Sequence, residues 1–117
     1  MKREDSIVVR VHLNWLDFSP ALRHHATECI DATLGPYAST IREVIVQVAD
    51  ADGPRRGPHD KRCDVEVLLR PFGALAASAT ATDAFAAVER AVRHARALVA
   101  TRLSAEREQR GRDLRIA

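Results

Sequence analysis

The chain has 117 residues, 46% hydrophobic and 29% charged; that excludes intrinsic disorder and fits one domain with a single core. No apolar run approaches the ~18 residues of a membrane span. The start, MKREDS, lacks the apolar segment of a secretory leader, so a cytoplasmic location is expected. Net charge is only +2, but unevenly spread: residues 1–60 hold seven Lys/Arg against nine Asp/Glu (−2), and residues 61–117 hold eleven against seven (+4). Sixteen of the eighteen basic residues are arginine, the better phosphate fork, although an Ala- and Arg-rich composition also follows from a GC-rich genome. The charge permits a nucleic-acid partner without requiring one.

Residues 7–13 (IVVRVHL) are short, β-branched and alternating, and predict a strand. After the connector 14–18, Ser19-Pro20 predicts a helix start, Ser as N-cap and Pro in the first turn. The helix should run to Leu34 with Leu22, Ala26, Cys29, Ile30 and Thr33/Leu34 inward. Gly35-Pro36 should end it, Gly supplying a left-handed residue. Residues 41–49 predict a second strand. Residues 50–60 (DADGPRRGPHD) hold two Gly and two Pro and predict a long loop. Residues 61–70 alternate, with Cys63, Val65, Val67 and Leu69 inward. Pro71-Phe72-Gly73 is a tight turn. Residues 74–81 (ALAASATA) predict a strand of small residues on which a helix can lie close.

The chain is organised around the next stretch, residues 82–103. Phe85, Val88, Val92, Ala95, Val99 and Leu103 recur at helical spacing. Thr82 or Asp83 can cap the start. Arg90 and Arg93 should point away from the apolar stripe, with Arg96 and Arg102 flanking it. Beyond Ser104 the sequence is charged and reads as a tail, 104–117, with Gly111 a break. The fold class is therefore α+β, in the order β-α-β-β-β-α. A four-stranded sheet with two helices packed on one face satisfies every apolar stripe. The other sheet face stays open, carrying Arg10, His12, Glu43, Ile45, Gln47, Arg62, Glu66, Leu68 and Arg70.

This pattern resembles the ribosome hibernation-promoting factor family, which includes ribosome-associated inhibitor A. Ser19-Pro20-Ala21-Leu22-Arg23 resembles the family's entry to its first helix. Asp83-Ala84-Phe85-Ala86-Ala87-Val88 is similar to its Asp-x-Tyr-Ala-Ala-Ile. Residues 41–48 and 63–69 resemble its second and third strands. The match covers about residues 7–103, and the resemblance is to a short form, expected to lack the C-terminal dimerisation domain of longer members. The resemblance implies a domain akin to the double-stranded-RNA-binding fold. It also implies a non-enzymatic factor that sits in the decoding region of the small ribosomal subunit and blocks messenger and transfer RNA. The family's dense basic run late in the last helix is reduced here to Arg102, and its Gly-Arg-His after the first strand is replaced by Leu13-Asn14-Trp15.

The candidate RNA-binding residues are thus Arg90, Arg93, Arg96 and Arg102 on the last helix, with Arg55, Arg56, Lys61 and Arg62 around the long loop. The competing explanation is a solvated helix face, with Glu89 pairing Arg93, and a polar hairpin loop. His24, His25, His59, Cys29 and Cys63 lack the paired spacing of a zinc finger or ribbon, so no metal or other cofactor is expected. The cysteines read as buried thiols, with a single bridge as the alternative. Asp50 and Asp52 read as turn residues. Trp15 and Phe18 read as a staple onto Leu22 more readily than as stacking residues. No glycine-rich phosphate loop, nucleophile elbow or acid pair is present. Use of His12 or the His24/His25 pair in a small enzyme is a weak third reading. The rival to ribosome binding is a protein-interaction module, two copies pairing through Ile45 and Leu68 on the open face.

Overall fold

The structure, a computed structural model, describes residues 7–13, 19–51 and 60–116, with side chains as far as Arg112. Trp15, Phe18, Asp52, Arg55, Arg56 and His59 lie outside the described residues. The elements are β1 (Val8–Leu13), α1 (Pro20–Leu34), a 3-10 segment (Gly35–Thr40), β2 (Ile41–Asp50), β3 (Lys61–Leu69), β4 (Ala74–Ala81) and α2 (Ala84–Ile116). This is the expected α+β order. The sheet runs β1-β2-β3-β4, with β1 parallel to β2 and the later pairs antiparallel.

Local chemistry sets the boundaries. Ser19 Oγ accepts from the Leu22 N–H at 3.1 Å, and Pro20 loses nothing in the first turn, where its missing donor would have no partner. Asp83 Oδ2 accepts from the Ala86 N–H at 3.2 Å and caps α2. Gly35, however, is right-handed (φ −51°), and the chain continues as a 3-10 segment in which Thr40 Oγ1 donates to the Tyr37 carbonyl. Proline at the second position of that segment is compatible with a new first turn, so α1 ends at Leu34 as expected but passes into a 3-10 segment without the expected left-handed glycine. Gly73 does take the positive φ, +112°, that the β3–β4 turn requires.

The small residues of β4 form a strand because β3 offers them a complete ladder. Ala77, Ala79 and Ala81 face inward beneath α2, whose own Ala87, Ala91 and Ala95 are buried. Helix and strand can therefore approach closely. The core is one cluster centred on Ile30, Leu34, Val44, Val46, Val48, Val65, Val67, Val88, Val92 and Val99. α2 lies over β3 and β4, with α1 beside it and in contact with β1.

α2 does not stop near Leu103. It spans 33 residues, about 50 Å, and runs through Gly111. A single exposed helical glycine costs only about 1 kcal/mol relative to alanine. Its neighbours are good helix formers, and Glu108 pairs with Arg112 across it (3.6 Å). Residues 104–110 are all exposed.

Cys29 and Cys63 are free thiols. Burial pushes the Cys63 thiol from 9.0 up to about 12, with Asp64 adding to the rise. The fold therefore keeps a proton that the unfolded chain releases near pH 9, so stability is unaffected below that pH and falls between pH 9 and about 12. Urea midpoints measured at pH 7 and pH 10.5 should show this loss, and Cys63→Ala should reduce it.

Candidate nucleic-acid interface

Arginines on α2 divide by direction, because residues three apart are rotated by about 60° around a helix. Arg90 is turned to the sheet edge, where its Nη1 donates to the Thr80 carbonyl of β4 at 3.1 Å. His94, one turn on, places Nδ1 3.3 Å from the Ser78 carbonyl. Two α2 side chains thus cover carbonyls of an edge strand, which blunts unwanted strand pairing. At the other edge Arg23 Nη1 donates to the Val11 carbonyl of β1 at 2.9 Å.

Arg93 lies on the α1 side. With His25, Glu28, Cys29, Thr33 and Glu89 it lines a shallow groove of about 440 Å³ between the helices. Arg96 is exposed, and among the described residues neither it nor Arg93 has a carboxylate partner within ion-pair distance. The expected Glu89–Arg93 pair does not form, because Glu89 Oε2 sits 3.1 Å from His25 Nε2 instead. That contact lies off hydrogen-bond angle, and the His25 ring packs against Phe85 at 5.0 Å. Arg102 is half-buried and leans onto the β3–β4 turn, its Nη1 beside Gly73.

The remaining described candidates are engaged elsewhere. Lys61 Nζ pairs with Asp50 Oδ1, and Arg62 pairs with Asp64 at 3.1 Å. Arg62 projects from the open sheet face, away from α2, so it does not join the helix arginines. That face also carries the Arg10–Glu43 pair. Ile45 and Leu68 on it are half-buried. Beside Ile45, the short Ala76 and Ser78 leave a hollow of about 310 Å³.

Two further arginines join the α2 face. Arg107 and Arg110, read as tail residues from sequence, are helical and exposed. At 100° per residue they return to within about 40° of Arg96 and extend its stripe by about 20 Å. The signal was present in their spacing, but Gly111 concealed it. Glu106 lies one turn before Arg110, about 40° from it, while Glu108 falls on another side of the helix.

The inter-helix groove is poorly suited to nucleophilic chemistry. Burial raises the Cys29 thiol, opposed in part by a Thr33 hydrogen bond, so the reactive thiolate is scarce. No group of three or more potential metal ligands occurs among the described residues, and no helix is long and apolar enough to cross a membrane. What the α2 surface offers is a row of guanidinium groups that face solvent. Such a row is complementary in charge to a phosphate backbone.

No protein-family model and no curated protein matches the chain. Solved structures do. A ribosomal subunit interface protein from Coxiella burnetii superposes with a TM-score of 0.70 at 17% identity, over 84% of this chain and 99% of that one. The N-terminal domain of Thermus thermophilus Protein Y superposes with a TM-score of 0.59 at 22% identity, over 80% and 94%. The chain has their fold, at low sequence identity.

Proposed function

We propose that the chain is a divergent, non-enzymatic member of the ribosome hibernation-promoting factor family, acting in the cytoplasm. In this reading it binds the decoding region of the small ribosomal subunit and blocks translation by occupying the space of messenger and transfer RNA. The observation that carries the proposal is the fold shared over nearly the whole length of a ribosomal subunit interface protein. The solvent-facing Arg93, Arg96, Arg107 and Arg110 support it, as phosphate contacts that break no ion pair among the described residues. Arg90 contributes less directly, since it is already bound to the Thr80 carbonyl, and Arg102 lies off this row, its Nη1 beside Gly73. The test of mechanism is competition. Small subunits preloaded with messenger and transfer RNA should exclude the chain, and simultaneous binding of all three would refute occlusion.

Pairing of two copies through the open sheet face draws on the hollow beside Ile45. Charge weighs against it, because the Arg10–Glu43 and Arg62–Asp64 pairs would lose water without gaining a better partner. Light scattering should report a monomer at micromolar concentration; a dimer dispersed by Ile45→Lys would favour the pairing instead.

A further inference from the structure

The β3–β4 turn carries the most exposed large apolar side chain among the described residues, Phe72, at 82%. Turn positions ordinarily take Gly, Asn, Asp or Pro. A phenylalanine there forgoes the stabilisation that burial would return. The turn is also well fixed. The Leu69 N–H donates to the Gly73 carbonyl at 2.9 Å, and the Arg70 N–H donates to the Thr40 carbonyl at 2.8 Å. Two arginines stand near the turn. Arg70, two residues before Phe72, is exposed and its Nε donates to the Ile41 carbonyl at 3.4 Å, and the Arg102 guanidinium lies against Gly73, the residue next to Phe72.

An exposed ring on a fixed turn with two arginines nearby in the fold fits one occupant best. We infer that Phe72 is a stacking platform for an unpaired RNA base, with Arg70 and Arg102 taking the phosphates on either side. This rests on the RNA-binding reading above and adds a contact that does not depend on charge. The chemistry is that of single-strand recognition, in which a ring accepts any base face and arginine follows the backbone. An apolar pocket on a protein partner would accept the same ring, but it gains nothing from the two guanidiniums. Arg102 also acquires a purpose here, since it leaves the row of Arg93 and Arg96 and turns toward this loop.

The test compares the unaltered chain with Phe72→Ala, Phe72→Leu and Phe72→Tyr. Each is titrated onto a labelled ten-uridine single strand and, separately, onto purified small subunits. Phe72→Ala and Phe72→Leu should each weaken binding at least about fivefold, while Phe72→Tyr stays within about twofold. Stacking releases no counterions, so Phe72→Ala should leave the slope of log K against log salt unchanged. Arg102→Ala should lower that slope by roughly 0.7. Full binding by Phe72→Ala overturns the platform. Full binding by Phe72→Leu also overturns it, because an apolar anchor tolerates leucine and a stacked base does not. If the uridine strand gives the expected pattern while small subunits bind nothing, the ribosomal assignment fails and the platform stands. If subunits bind regardless of residue 72, the assignment stands and the platform fails.

Discussion

Replacing Arg93 and Arg96 together with glutamate will weaken association with small ribosomal subunits by at least roughly 100-fold at low salt, while the melting temperature stays within about 3 °C. Each cation lost from a phosphate removes close to one released counterion, and each glutamate adds repulsion. The two sites are exposed and without carboxylate partners among the described residues, so the fold loses no ion pair. Exposed positions of this kind normally change stability by less than about 0.5 kcal/mol. Arg90→Glu is a poorer probe of the same idea, because it also strips the β4 edge of the hydrogen bond to Thr80. Sedimentation and thermal melting on the same preparation separate the outcomes. Unchanged binding would remove this face as the contact.

The largest expected effect on stability is that of Ile30→Ala. Ile30 is wholly buried on α1, in the cluster that joins both helices to the sheet. Truncation removes three buried carbons and leaves a cavity that close-packed neighbours fill only in part, at a cost of about 3 kcal/mol. For a domain of this size, the melting temperature should fall on the order of 15 °C. Urea unfolding should show a lower midpoint with an unchanged slope. A loss under about 1 kcal/mol would mean that α1 is not anchored as described.

Much of this fold is legible in the sequence because its signals are local. Ser19-Pro20 and Asp83 act on the first turns of their own helices, and the alternation from Cys63 to Leu69 survives any choice of partner strand. What the sequence hides depends on register or on competition between partners. Glu89 was available to Arg93 one turn away, yet it meets His25 of α1. The Arg10–Glu43 pair exists because the parallel register sets Arg10 opposite Ile45 and so puts Glu43, two residues earlier, on the same sheet face. Arg90 and Arg93 look equivalent in spacing, but only the position of β4 decides that one is held and the other faces solvent. The sequence places the end of α1 correctly at Leu34, but Gly35 closes it right-handed and a 3-10 segment follows; Gly111 does not break α2, because its neighbours keep their helical hydrogen bonds.

The central claim is that the outer surface of α2 meets ribosomal RNA. Its most direct test is the equilibrium binding of the unaltered chain to purified small subunits from about 20 to 300 mM salt. The account predicts saturable binding at the lowest salt that falls linearly in log K against log salt, with a slope of at least roughly −2 in magnitude from Arg93 and Arg96 alone. No binding at the lowest salt, or binding indifferent to salt, would contradict it.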